Sequence, residues 1–458
     1  MKEHCNVLLL ALSTFPYKLT MSENKFKWEN GKEYTGIYQL DPVPKMLADQ
    51  LAQKHEYLDK IILLATKSTL EEKDVEITDL DGKKDHYHGS PLDYFKSQID
   101  RYMNPDTDPE EKFVIVPIDE KNIEQGISDT IEKVRKVKNI KLYLDTHGGF
   151  REIFLVAEAV ISLLKVDKIE VQGIYGVEHG EEKRIVDGRS GFHIFDFVSG
   201  MNEFINYGRI DSLEAFLKKH TDNDLSTNKL QDELILCMKK ISEGIQLCSI
   251  AAFEQGLHDL TEYYEERKKQ KDLKSHSYLF IFAENIKKDY GVLLTSERTV
   301  IDEIKWCREK GFYQQVLTLI ESRVPQYLKS AGLCEYHLKK DQDETRVFNQ
   351  CAPWRYDKDK GHSQEERLEK MNGKWFPRKK GKYVKKDEKY VDYENADIWM
   401  MFHVSEEKRI LLDEFFQMHM KLKGIRNHLN HALNLSYSLE KVDEEVEKYL
   451  EMLGDLCK

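Results

Sequence analysis

The densest concentration of chemistry-bearing side chains lies near the C-terminus, in Lys423-Gly424-Ile425-Arg426-Asn427-His428-Leu429-Asn430-His431-Ala432. The stretch packs an Arg, two Asn and two His into what otherwise reads as an amphipathic helix. At about 100° per residue, Asn427 and His431 share a face, and His428 and His431 are also close. Arg426 and His431 stand about 140° apart around the axis. A long guanidinium could swing across that angle, and two copies of the helix meeting across a dimer axis would pool these residues more simply. Arg, His and a nearby amide, without a metal, suit RNA transesterification. The imidazole moves the proton of the 2′-hydroxyl or of the leaving 5′-oxygen, and the guanidinium holds the scissile phosphate. The other reading is an exposed polar helix face, because an Arg and a His at this spacing also occur by chance.

A second group is Asp145-Thr146-His147-Gly148-Gly149-Phe150-Arg151, which follows the apolar run Leu142-Tyr143-Leu144 and precedes a helical pattern. A strand, a glycine-containing loop and a helix start form an anion site in open α/β sheets. The two glycines let backbone N–H groups approach a ligand. Thr146 and His147 add polar side chains, and Arg151 a fixed charge. Ser13-Thr14, after the first strand candidate, opens on the same sheet edge. Together these residues outline a nucleotide-like site. In the bland alternative Asp145 and Thr146 cap the helix and the glycines only make the turn. Neither dinucleotide nor Walker-type glycine patterns occur. His147 has no His or Cys close by in sequence, so a metal site is not read.

The elements that must position these groups differ between the two halves of the chain. Up to about residue 180, short apolar runs alternate with helical ones. Strands are expected at Val7–Leu12, Lys60–Ala65, Phe113–Pro117, Ile140–Leu144 and Lys168–Ile174, with helices at Pro91–Tyr102, Asn122–Lys136 and Arg151–Leu164. Strands without alternation are buried on both faces, so this half is expected to be a Rossmann-like, doubly wound parallel sheet. Two hairpins, Phe26–Gln39 turning at Asn30-Gly31 and Val75–His86 turning at Asp81-Gly82, are expected to decorate it. Beyond about 190 the pattern is helical: Ser212–Lys219, Lys229–Lys269, Tyr278–Lys288, Arg298–Lys310, Tyr313–Lys329 and Glu406–Cys457. Gly311 reads as an elbow, and Pro325 as a kink or an end. The expected fold class is therefore α/β plus all-α, with domains at 1–190 and 191–458 and a polar insertion at about 336–400.

Composition narrows the class. The 458 residues carry 70 basic and 82 acidic side chains, a net charge of −12, with 40% hydrophobic residues. That supports packed cores and argues against bulk coating of nucleic acid. No apolar stretch is long enough to span a membrane, and Val7–Leu12 reads as a strand better than as a signal peptide. The 7 cysteines, with no Cys-x-x-Cys, fit reduced thiols in a cytoplasmic protein. Within 374–389, eight Lys or Arg stand against two acids, with Trp375, Phe376 and Tyr383 interleaved. Such a run could stack bases and contact phosphates, or be a solvated excursion between helices.

Taken in order, the strand VLLLALST, the loop LDTHGGFR, the run Lys305-Trp306-Cys307-Arg308-Glu309-Lys310-Gly311-Phe312-Tyr313-Gln314-Gln315-Val316-Leu317-Thr318 and RNHLNH at 426–431 resemble one family. It comprises the CRISPR-associated ribonucleases that join an N-terminal CARF sensor domain to a C-terminal HEPN nuclease domain, in the branch named for a D-x-T-H-G motif. This chain reads D-T-H-G-G, with its Asp one residue nearer, which bears on Asp145 more than on Thr146, His147 or Gly148. The resemblance implies a homodimer acting in type III CRISPR antiviral defence. A cyclic tetra- or hexa-adenylate would bind between paired CARF domains, at Ser13, Thr14, Asp145, Thr146, His147, Gly148, Gly149 and Arg151. It would activate metal-independent cutting of single-stranded RNA, with no cofactor and no DNA or membrane partner. Arg426 and His431 carry over as the catalytic pair, with Asn427 orienting them. Slow breakdown of the activator, with Thr146 and His147 as first suspects, is a second implied activity. A non-catalytic sensor that dimerises or recruits a partner is the alternative from another class.

Overall fold

The computed structural model describes residues 4–37, 41–119, 121–149, 153–178, 182–219, 225–269, 278–338, 343–351, 374–375, 399–430 and 437–458. His431, Arg151 and most of the basic run at 374–389 lie outside these residues. The chain divides into two units, Met1–Phe195 and Asp196–Lys458.

The first unit is a sheet with helices. Its elements are β1 (Cys5–Ala11), β2 (Thr20–Lys27), β3 (Glu33–Ile37), α1 (Pro42–Gln53), β4 (Lys60–Ala65), β5 (Lys73–Thr78), β6 (Lys84–Gly89), α2 (Pro91–Ile99), α3 (Pro109–Lys112), β7 (Phe113–Pro117), α4 (Ile123–Arg135), β8 (Ile140–Asp145), α5 (Ile153–Val166), β9 (Val171–Glu178) and β10 (Arg184–Asp187). The helix α6 (Arg189–Tyr207) begins in this unit and runs on into the second. Among the described residues the sheet has ten strands, ordered β6-β5-β2-β10-β9-β8-β1-β4-β7, with β3 on β2. The five strands at one end of that order, β9-β8-β1-β4-β7, are parallel throughout. Alternation explains the two cores. Leu8 and Leu10 of β1 pack with Val43, Met46 and Leu47 of α1 and Phe95 of α2. Val7 and Leu9 point the other way, to Val134 of α4 and Val156 and Val160 of α5. A strand apolar on both sides can be stable only between two helical layers.

Two expectations for this unit need correction. The hairpins do not merely decorate the sheet. The β2–β3 and β5–β6 pairs extend it, because β2 bonds in parallel to both β5 and β10. The last parallel strand begins at Val171, not Lys168. Lys168 has φ +59 in the turn that ends α5, where its N–H and that of Ile169 return to Lys165 and Leu164 carbonyls.

The second unit is mostly helical. It holds α7 (Asp211–Lys219), α8 (Leu225–Gln246), α9 (Ile250–Lys269), α10 (Tyr278–Tyr290), α11 (Val300–Glu309), α12 (Tyr313–Ser330), α13 (Glu344–Cys351), α14 (Arg409–Asn430) and α15 (Leu439–Cys457). Thr299 opens α11 with a capping box shared with Asp302, and Ser438 caps α15. The run expected as one helix over 229–269 is two. Cys248 adopts φ +51 between α8 and α9, and the chain reverses there. Likewise 406–457 contains two helices, with α14 ending at Asn430 and α15 starting at Leu439. Gly311 follows α11 as the elbow, whereas Pro325 sits inside α12 without ending it. A small antiparallel sheet, ordered β11 (Cys334–His337), β13 (Trp399–Phe402), β12 (Lys374–Trp375), was not expected. Strands this short carry too little alternation to be read.

The helical core runs from Phe204 and Phe253 through Trp306 and Val316 to Phe415, Phe416 and Tyr449. Its tightest approach is backbone to backbone. A Cβ placed on Gly244 of α8 would come within 2.5 Å of the Phe253 amide nitrogen in α9. Gly244→Ala gains up to ~1 kcal/mol of helix propensity but overpacks a contact that cannot yield. Overpacking costs ~1–3 kcal/mol, so the net effect is destabilising. Urea unfolding of Gly244→Ala should show a lower midpoint at an unchanged slope.

Candidate functional site

In the first unit the chain winds outward from β1 to β4 and β7, then returns to β8 on the other side of β1. The order therefore reverses between β1 and β8, and a crevice opens at their carboxyl ends. The register Leu10↔Asp145 brings the two following loops level. Ser13 and Thr146–Gly149 meet there. The Gly149 N–H donates to Ser13 Oγ at 3.0 Å. Gly148 lies against β1 so closely that a Cβ would sit 2.2 Å from the Ala11 carbonyl oxygen, so only glycine fits. Thr146 is tied to β9 twice, its N–H and its hydroxyl both donating to the Tyr175 carbonyl at 2.9 and 3.1 Å. The Val177 N–H donates to His147 Nδ1 at 3.1 Å. Thr14, next to Ser13, is exposed.

Asp145 is buried at the end of β8 and accepts the His147 N–H at 2.9 Å. It braces the loop from inside. Burial raises its carboxyl to about 7, and the His147 N–H opposes that only in part. Burial also lowers His147 to about 4, so at neutral pH its imidazole is uncharged. With Nδ1 accepting from Val177, the ring proton sits on Nε2. The site thus gathers hydroxyls and a neutral imidazole on a loop whose Thr146, His147 and Gly149 N–H groups already donate within the protein.

In the second unit α14 is fastened by Leu412, Phe415, Phe416, Leu422 and Ile425, all buried. His419 belongs to this anchoring face. Its Nδ1 lies 2.9 Å from the Tyr449 hydroxyl, and burial holds the ring at about 3, uncharged. At the far end Asn427 and His428 are exposed, and Arg426 is half-buried. Arg426 Nη1 donates to Glu321 Oε2 of α12 at 2.7 Å, and Lys423 Nζ stands 3.6 Å from the same carboxylate. Glu321 escaped the sequence reading. It is one charged residue among many on an amphipathic helix, and its partner comes only from helix packing. Among the described residues no cluster of three or more His, Cys, Asp or Glu is placed to hold a metal. Nor is any helix among them long and apolar enough to cross a membrane.

The molecule is thus defined as a largely parallel, doubly wound α/β unit with a polar loop at its switch point, followed by a helical unit. No family model matches the chain, and no curated protein does. Among solved structures, Enterococcus italicus Csm6 bound to cyclic hexa-2′-fluoro-hexa-dAMP is similar over 99% of this chain and 94% of that one, at 12% identity and a TM-score of 0.35.

The buried carboxyl gives a stability test. A group whose folded-state value is raised contributes stability that is present below its unfolded value and lost as pH rises through the folded one. For Asp145 that window runs from about 4 to about 7. Asp145→Asn keeps an acceptor for the His147 N–H and removes the charge. Its melting temperature relative to wild type should therefore climb between pH 4 and 8, by an amount on the order of a few kcal/mol in stability. A constant difference across that range would show that the carboxyl is not held neutral.

Proposed function

We propose that this chain is a cyclic oligoadenylate-activated, metal-independent endoribonuclease of type III CRISPR defence that works as a homodimer. The observation that carries the reading is Arg426-Asn427 at the exposed end of a long anchored helix, with His431 five positions after the arginine in sequence. The switch-point loop supports the other half of the reading, since hydroxyls and a neutral imidazole at the carboxyl ends of parallel strands suit a polar nucleotide activator.

In the reaction the 2′-oxygen bonds to phosphorus as the bond from phosphorus to the 5′-oxygen breaks. The proton leaves the 2′-hydroxyl and one returns to the 5′-oxygen, with His431 as carrier. Arg426 holds the phosphate and its added charge, and Asn427 orients the pair. The products carry a 2′,3′-cyclic phosphate and a 5′-hydroxyl. A symmetric ring rewards a two-fold pocket, and it activates only by binding the active geometry more tightly than the inactive one.

The test is cleavage of single-stranded RNA in EDTA, with no activator, with cyclic tetra-adenylate and with cyclic hexa-adenylate. Strong stimulation by one ring is expected, with loss of about 100-fold or more in Arg426→Ala and in His431→Ala. Full activity in both variants would remove the assigned site. Ring binding with no RNA turnover would favour the non-catalytic sensor.

The switch-point loop gives a separable outcome. Thr146→Ala and His147→Ala should raise the activator concentration needed for half-maximal cutting while leaving the maximal rate near wild type. If either variant also stops breakdown of the ring while RNA cutting persists, the loop carries that second activity.

A further inference from the structure

The helical unit holds its partly buried arginines in several ways, Arg298 by Nε near Glu303 and by Nη1 on the Leu293 carbonyl. Arg323 grips Glu254 with Nε and Nη2, at 2.7 and 2.6 Å. Arg308 grips Asp443 through the same two nitrogens, at 2.5 and 2.8 Å. In each pair the planar fork of the guanidinium is filled by a carboxylate. Arg426 is different. It meets Glu321 through Nη1 alone. Its Nε is shielded from solvent, yet it bonds to nothing among the described residues. Of the two nitrogens that Arg323 and Arg308 spend on carboxylates, Arg426 keeps Nε shielded and has Nη2 left over.

Glu321 is well placed to hold that geometry. It follows Ile320, a core residue of α12, and its side chain is 16% exposed against 28% for Arg426. Its partner lies next to Ile425, a core residue of α14. Both ends of the contact are thus fixed by packing. Lys423, one turn earlier on α14, stands near the same carboxylate. Without Glu321, two cations would face each other with no anion between them.

We infer that Glu321 is a positioning residue: it pins Arg426 by Nη1 so that Nη2 is presented to a phosphate of the RNA. This rests on the ribonuclease reading and deepens it. A carboxylate that blocked the arginine would be expected to fill the fork, as Glu254 and Asp443 do with theirs. Glu321 instead fixes the plane of the guanidinium from its other side. Binding of RNA as a whole draws on many contacts, whereas the orientation of this one group matters most as charge builds on the phosphate. The consequence is a loss in kcat with little change in KM.

The experiment is RNA cleavage in EDTA, with the activating ring saturating, by wild type, Glu321→Gln, Glu321→Asp and Arg426→Ala. Glu321→Gln should lower kcat about 10- to 100-fold, keep KM within about threefold and melt near the wild-type temperature. Glu321→Asp, which keeps the charge on a shorter stem, should recover part of the loss. Wild-type rates in Glu321→Gln beside an inactive Arg426→Ala would overturn the inference and leave the ribonuclease reading standing. Cutting without activator in Glu321→Gln would also overturn it, since that is the mark of a plug.

A second readout needs no turnover. The Nε–Hε NMR signal of Arg426, assigned by its absence in Arg426→Lys, is followed as a short 2′-O-methyl RNA is added with both rings present. A change in shift, carried to Nε through the shared guanidinium, is expected in wild type and not in Glu321→Gln. No shift at saturating oligomer would overturn the inference. A shift in a protein that cuts no RNA would support the presented Nη2 while removing the ribonuclease reading.

Discussion

The parallel pairing of β1 with β8 is the constraint on which the first unit rests. It joins two strands far apart in sequence, through the register Leu10↔Asp145. Without it the loops at Ser13 and Thr146 would have no common edge. Everything polar at the switch point follows from that pairing. Gly148 must be glycine because β1 is so close, Ser13 can reach the Gly149 N–H, and the loop can lean on β9 through Tyr175 and Val177. The same pairing buries Asp145, so a carboxyl becomes a brace. Burial, loop shape and the neutral state of His147 are one arrangement seen from three sides.

The helical unit solves a different problem. It must carry charge close to a packed interior, where an unpaired ion is costly. Its arginines are accordingly tied to carboxylates on neighbouring helices: Arg308 to Asp443, Arg323 to Glu254 and Arg426 to Glu321. Asp443 shows how firmly. The Arg308 guanidinium and the Tyr313 hydroxyl hold it down at about 2. Since an isolated surface pair is worth little, these contacts matter less as a stability reserve than as a way of giving long side chains a single position.

Much of the fold was legible because β1, β4 and β7 are apolar on both faces, the pattern of strands in a covered parallel sheet. The helices were legible where Leu317, Ile320 and Val324 recur at helical spacing. The breaks were harder to see. The reversal at Cys248 uses a left-handed backbone at a residue that gives no turn signal, so α8 and α9 read as one helix. Lys168 hid the start of β9 in the same way. At the sites, the sequence pointed to Thr146, His147 and Arg426 through residue type alone. It could not point to Glu321, Tyr175 or Val177. Glu321 acts only after two helices have packed, and the other two contribute a backbone carbonyl and a backbone N–H, which every residue type possesses.

Pro325 lies one turn beyond Glu321 in α12. Having no N–H, it cannot close the helical rung to the Glu321 carbonyl. The carboxylate that grips Arg426 is therefore mounted on the turn of α12 with a missing rung. Stiffness elsewhere along that helix comes from an unbroken ladder and from the buried Leu317, Ile320 and Leu328. Any bending of α12 concentrates where the ladder is interrupted, so a small flexure of this one helix would be felt first at the guanidinium.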